Sequence, residues 1–363
     1  MRVLRWSSRA AWLGLLAMVG AVGCSGGGDS GGKRIIILNN GNSPFWDAAR
    51  VGMEEAAKDF QLDKAGLRAT FEDNDATPKG QLDKLRQFAS QDDIAAIAVS
   101  AIDARNDAIA NQLRKLRDEG VKVITVDSDL DRERARNARF AFIGTDNLVG
   151  GRELGVCAKH LDPDGGGYVT FVGRTGAQNA IERVKGFGEG AGRKFKLLDN
   201  MEDKNDRPKA KANVRQALAK HPDDLKVVVG IWSYNAPAIA SVVGDLSRER
   251  RRALTVVTFD AEPGAITAMA DGHIDAMVVQ NPYEMGYQGV RLMKALVEDD
   301  QATIHKMLPN LGKPDGDIYD TGLKVVVPDD NKALKSKMFQ KTTQFLTLSE
   351  FRQWLAKYNL RGS

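Results

Sequence analysis

The chain has little of the chemistry that metals and disulfides require. Its 363 residues include only two cysteines, Cys24 and Cys157, and four well-separated histidines, His160, His221, His273 and His305. No zinc-type spacing occurs, and if Cys24 is acylated no disulfide is possible, so the fold must then be held by core size and not by staples. Charge of one sign is also missing: 52 basic and 48 acidic residues intermingle to a net +4, without the basic stripe that binds nucleic acid. The G-x-S-x-G pattern occurs only in the Gly/Ser-rich 23–32 ("GCSGG" and "GDSGG"), ahead of the first apolar strand-like run of the globular part and so not as a strand-to-helix elbow. No nucleophile–histidine–acid series matches a known arrangement, which argues against a hydrolase. What remains, 42% hydrophobic and 28% charged residues, is ordinary for a globular protein with material for two cores.

The N-terminus reads as a signal peptide over 1–23. Arg2, Arg5 and Arg9 precede the run "AAWLGLLAMVGAV", and about a dozen apolar residues fall short of the roughly 20 a membrane span needs. The small residues leading into Cys24 resemble a bacterial lipobox, with Ala21 where that pattern usually has Leu or Val. Lipidation of Cys24 is expected, with the Gly/Ser-rich 24–32 as a flexible tether. Export to the periplasm or the outer face of the cell membrane follows. Cys157, within "GGRELGVCAKHL", reads as a small buried hydrophobe.

From Arg34 onward, short apolar runs alternate with amphipathic ones: "RIIIL", "LRATFED", "AAIAV", "VKVITV", "RFAFIG", "GYVTFVG", "KFKLLDN", "KVVVG", "LTVVTFD", "IDAMVVQ" and "LKVVV". Their continuous apolarity predicts strands buried on both faces. Intervening segments such as "NDAIANQLRKLRDEG" place Ile109, Leu113 and Leu116 on one helix face before the stop at Gly120. Strand then helix, repeated, predicts α/β architecture with doubly wound parallel sheets, and eleven strands are enough for two lobes.

Ligands of such sheets bind beyond the carboxyl ends of the strands. The loops there include "NNGNSPFW", "SAID", "DSDLD", "GRTGAQNAIER", "IWSYNAP", "DAEP" and "QNPYE", which together read as a hydrogen-bonding cleft with aromatic walls. Glycines in "DPDGGGYV" precede a strand and read as a turn.

"NSPFW", "VITVDSD", "GTDNLVGG", "IERVKGFGEG" and "VVTFDAEPGAITAMADGHIDAMVVQNPYEMGYQGV" occur in that order. In this they resemble the type I periplasmic sugar-binding proteins, the ribose- and galactose-binding group, over roughly residues 33–329. The resemblance implies two lobes joined by a three-segment hinge, an N-terminal lobe of 33–145 plus 281–320, and a C-terminal lobe of 146–280 plus 321–363 ending in a helical extension. It also implies capture of a small carbohydrate by hinge closure and delivery to an inner-membrane ABC permease, without catalysis or cofactor. A monomer is expected, because the lobes must be free to close.

By the same resemblance Phe45 and Trp46 sandwich a sugar ring. The physics agrees, since the C–H faces of a sugar are apolar and tryptophan is a rigid platform; an aromatic staple at a helix start is the alternative. Trp232 is a candidate opposing wall. Asp127 and Asp260 end apolar strands, where a carboxylate needs hydrogen-bond donors or serves as a helix cap. Gln280 aligns with a further hydrogen-bonding position. Arg183 matches an arginine that points into the cleft, and Asn179 stands near Ile181, where the family commonly carries another. Asn39, Ser43, Ser100 and Asn235 match contact positions. After Asp127 the ribose binders carry arginine, whereas this chain has Ser128 and then Asp129. Counting Asp129 into the cleft predicts an excess of carboxylates and a ligand rich in donors, such as an amino sugar.

Two other classes share this core. A transcriptional regulator would need a helix-turn-helix where the signal peptide stands. A receptor for a membrane sensor kinase or chemoreceptor could use the tail "NKALKSKMFQKTTQFLTLSEFRQWLAKYNL" as a docking helix, or that tail packs on a lobe.

Overall fold

The computed structural model describes residues 32–363; the signal peptide, Cys24 and the tether up to residue 31 lie outside the described residues. The chain opens as β1 (Lys33–Leu38), α1 (Pro44–Asp59), β2 (Leu67–Glu72), α2 (Pro78–Ala89), β3 (Ile94–Val99), α3 (Asp107–Asp118), β4 (Lys122–Val126) and β5 (Phe142–Gly144). It continues as α4 (Asn147–Leu161), β6 (Gly166–Val172), α5 (Gln178–Ala191), β7 (Phe195–Glu202), α6 (Arg207–Lys220), β8 (Leu225–Gly230), α7 (Asn235–Val243), α8 (Arg248–Arg252), β9 (Thr255–Phe259), α9 (Pro263–Ala270) and β10 (Ala276–Val279). Then come α10 (Pro282–Val297), α11 (Gln301–Met307), β11 (Ile318–Asp320), β12 (Lys324–Val327), β13 (Gln344–Thr347) and α12 (Leu348–Lys357).

Two sheets result, ordered β11-β5-β4-β3-β1-β2 and β13-β12-β10-β9-β8-β6-β7. The first is wholly parallel; in the second, β12 runs antiparallel to β10 and carries β13 parallel to itself. The chain passes between the sheets at 145–146, 280–281 and 321–323. Asp146 and Asn281, on the first two passages, cap α4 and α10 by accepting from the Val149 and Glu284 amides, so each helix starts where the chain changes lobe.

Side-chain alternation explains why the strands read as unbroken apolar runs. In β1, Ile35 and Ile37 face α1 and α10, whereas Ile36 and Leu38 face α2 and α3. In the second lobe, Val169 and Phe171 join a core with α6, α7, α9 and α12, and Tyr168 and Val172 join one with α4 and α5 that buries Cys157. Helices α4 and α5 approach so closely that a Cβ on Gly151 would lie 2.3 Å from the Arg183 carbonyl oxygen. Only glycine permits that spacing.

Two strands go beyond the sequence-based expectation. β11 has three residues, too few to show a pattern, and β13 is a half-exposed edge strand. Apart from a 3-10 turn at Ser336–Met338, the tail is helical only from Leu348, with a Thr347/Glu350 capping box, and α12 buries Phe351 and Leu355 in the second-lobe core.

Candidate functional site

The carboxyl ends of the parallel strands of both sheets open onto one cavity of ≈ 140 Å³. That is on the order of ten times the space one water needs. Asn40, Gly41, Asn42, Ser43, Phe45, Trp46, Ala76 and Asp127 line it from the first lobe. Asn179, Arg183, Asn205, Arg207, Trp232, Ser233, Tyr234 and Asp260 line it from the second, with Gln280 at the second passage.

Helix α1 brings the aromatics in. Pro44 takes its first position and Ser43 is the N-cap residue, but the Ser43 hydroxyl makes no cap bond. Phe45 and Trp46 meet edge to face, ring centroids 5.1 Å apart, and Trp46 packs in the same manner on Phe71 at 6.0 Å. Both belong to the first-lobe core and both line the cavity. Opposite them, the Trp232 indole donates to Asn179 Oδ1 at 3.1 Å and lies over Gly173, where a Cβ would come within 2.1 Å of the ring.

Two carboxylates and one guanidinium make the polar floor. Asp127 accepts from Ser100 Oγ at 2.9 Å and more distantly from Asn40 at 3.5 Å; Asp260 accepts from Gln280 Nε2 at 3.0 and 3.2 Å. Arg183 is 1% exposed, donates from Nε to Asn147 and from Nη1 to the Ile231 carbonyl, and stacks 4.1 Å over Phe259, 4.0 Å from Asp260. Its Nη2 and the Gln280 Oε1 have no hydrogen-bond partner among the described residues. Burial pushes the Asp127 carboxyl up to about 6 against the pull of Arg183, and raises Asp260 for the same reason. Desolvation likewise lowers Arg183.

Four candidate residues stand behind the wall. Asn39 accepts from the Gly41 and Asn74 amides and donates to Asp73, tying the first two strand-end loops together. Ser100 donates to Asp127, and Asn235 accepts from the Trp232 amide while donating to Asp203. Asp129 requires a correction: it turns away from the cleft into a buried pair with Arg139, at 2.6 and 2.8 Å, and also accepts from Arg132 and Thr125. Against its desolvation, these donors hold its carboxyl below the usual range.

Sequence reasoning passed over Asn40, Gly41, Asn42, Ala76, Asn205, Arg207, Ser233 and Tyr234. The Asp/Asn-rich "EDKNDRP" was the available signal for Asn205, since Lys204 and Asn205 adopt φ of 62° and 66° and only a tight, polar turn tolerates two such residues. Arg207 is held by Glu262 in a two-pronged pair at 3.1 Å.

Residues 34–301 match the periplasmic binding protein domain, and the chain belongs to that family. It is 24% identical over 267 residues to the ribose import binding protein of Salmonella typhimurium, across 73% of this chain and 85% of the relative. It is likewise 24% identical over 264 residues to the D-allose-binding periplasmic protein of Escherichia coli, across 71% and 82%. The crystal structure of an ABC transporter solute binding protein from Burkholderia graminis, in complex with D-arabinose, matches with a TM-score of 0.70 at 24% identity, covering 84% of this chain and 98% of that one.

Proposed function

We propose that this chain is an exported solute-binding protein that encloses a neutral monosaccharide between its lobes and hands it, unchanged, to an ABC permease. The observation that carries the reading is the cavity itself. Aromatic faces from one lobe and an indole from the other flank buried carboxylates, amides and a guanidinium, so C–H faces and hydroxyls both find partners. The relatives named for ribose and allose support the sugar class.

With Asp129 turned away and Arg183 and Arg207 in the wall, the excess of carboxylates that pointed to an amino sugar is gone. Donors and acceptors are both present, as the hydroxyls of a neutral sugar require. A ligand touching both lobes is contacted fully only when they close, so its binding energy shifts the population to the closed form. A lipid anchor at Cys24 and a monomeric state complete the reading. The sensor-receptor alternative loses the feature that raised it, because α12 packs into its own lobe.

A thermal-shift screen of the mature chain against pentoses, hexoses, amino sugars, polyols and nucleosides tests this. A sugar at a hundred times its dissociation constant adds about 2.7 kcal/mol of stability. A selective shift with a neutral sugar, reduced in Asp260→Asn, is expected; no shift with any sugar sinks the proposal.

A further inference from the structure

Helix α6 carries Arg207, Lys209, Lys211, Arg215 and Lys220 and no acidic residue. Arg207 and Lys220 have carboxylate partners in Glu262 and Asp199. Lys211 and Arg215 have none within 4.0 Å among the described residues, and Lys209 has only a longer-range attraction to Asp203. The arrangement works against the helix, since cations in its first turn oppose the dipole and Lys211 and Arg215 form a like-charged i,i+4 pair. A charge pattern that costs local stability without a compensating contact points to a role outside the fold.

Lys211 and Arg215 stand beside an open groove of ≈ 550 Å³ that Pro208, Tyr234 and Pro237 also line, giving it an apolar surface edged by positive charge. Arg207 and Tyr234 line this groove and the ligand cavity alike. Arg207 is therefore a shared wall. Its partner Glu262 lies two residues beyond Asp260, at the start of α9.

We infer that this groove is a docking site for an acidic segment of a partner protein, and that Arg207 conveys its occupation to the ligand cavity. Carboxylates of the segment meet Lys211 and Arg215, and an apolar side chain rests on Tyr234 and the prolines. A further carboxylate competes with Glu262 for Arg207 and loosens the loop that holds Asp260. Docking and solute release are thereby coupled, and the coupling is reciprocal. The inference rests on the delivery role proposed above, because a protein that receives the solute must touch the cleft rim.

The test uses the mature chain and fluorescein-labelled peptides of about eight residues, rich in glutamate, with one tryptophan or leucine at varied positions. Fluorescence anisotropy should show binding that weakens as salt rises. The double variant Lys211→Glu/Arg215→Glu should bind roughly tenfold or more weakly, since repulsion replaces attraction. Its sugar-dependent thermal shift should persist, because neither residue lines the cavity. Peptide binding is read without sugar, so failure of the sugar screen and failure of this docking site register separately. Saturating peptide should weaken sugar affinity in the wild type, and that coupling should shrink in Arg207→Lys. Absence of peptide binding at low salt, or indifference to charge reversal, would overturn the docking site. So would equal, charge-dependent binding to phosphatidylglycerol vesicles, which would assign the face to lipid. Peptide binding that leaves sugar affinity unchanged would overturn the link through Arg207.

Discussion

Asp127 and Asp260 occupy equivalent places in the two lobes. Each follows the fourth strand of its sheet in chain order, and each holds a left-handed backbone, with φ of 60° and 59°. Aspartate is among the few residues that tolerate this region, and holding it there costs about 1 kcal/mol or more. Both carboxylates reach the same cavity, one from each side.

Asp260→Asn should make the ligand-free chain more stable while weakening ligand binding. The carboxyl is already raised by burial, so a neutral amide relieves a desolvation cost of about 1 kcal/mol. Charge-assisted bonds to sugar hydroxyls are worth about 1.5–3 kcal/mol each, so the dissociation constant should rise roughly tenfold to a hundredfold. Denaturant melts and calorimetry read the two effects; a less stable variant with unchanged affinity would make Asp260 a purely structural residue.

Ligand affinity should fall as pH drops below about 6. Asp127 is raised from 3.8 to about 6 in the folded chain, so protonation favours the ligand-free fold. That contribution is fully present below about 3.8 and is lost as pH rises through about 6. Sugar hydroxyls donate to the ionised form, so binding in this window should release protons, measurable by titrating in buffers of different ionisation enthalpy. Proton uptake in place of release would contradict the assignment.

Arg139→Leu should destabilise the chain by about 3–5 kcal/mol, because it strands the buried Asp129 and also removes a partner of Asp317. Sugar affinity of the folded fraction should change little, since neither Arg139 nor Asp129 lines the cavity. A large loss of affinity at unchanged stability would return Asp129 to the ligand.

Gly151→Ala should damage the site without touching it. The added methyl meets the backbone of Arg183 at 2.3 Å, so α5 must shift and carry Arg183 with it. Overpacking of this kind costs about 1–3 kcal/mol, and a fall in sugar affinity should accompany it. Gly289→Ala, in α10, meets nothing within 4 Å and should stabilise by about 0.5–1 kcal/mol. Calorimetric melts of the pair separate the two effects.

The lobes were legible because buried strands advertise themselves: "IIIL", "AAIAV" and "VVVG" leave few other readings. The places of Asp260 and Trp46 in the cavity lining were legible because Asp260 directly follows β9 and Trp46 opens α1 beyond the loop after β1. Asp129 was misread for a reason that no local pattern carries. The left-handed turn at Asp127 redirects the chain, and the partner Arg139 lies ten residues on, inside the same lobe. Asn205 and Arg207 escaped because β7 is half exposed, so the strand preceding their loop gives a weak apolar signal. Tyr234 was passed over beside Trp232, although its hydroxyl bonds Asp203 and its ring reaches the cavity.

Neither lobe is a continuous stretch of chain. The first sheet takes its edge strand from Ile318–Asp320, and its core takes Met285, Val290 and Met293 from α10. On the ribosome, therefore, the N-terminal segment emerges with Ile35, Ile37 and Ile143 lacking their cover and cannot complete a core until nearly the whole polypeptide has been made. Such delay suits the exported role proposed above, because the first lobe is finished only by β11, after which just β12, β13 and α12 of the second lobe remain to be made.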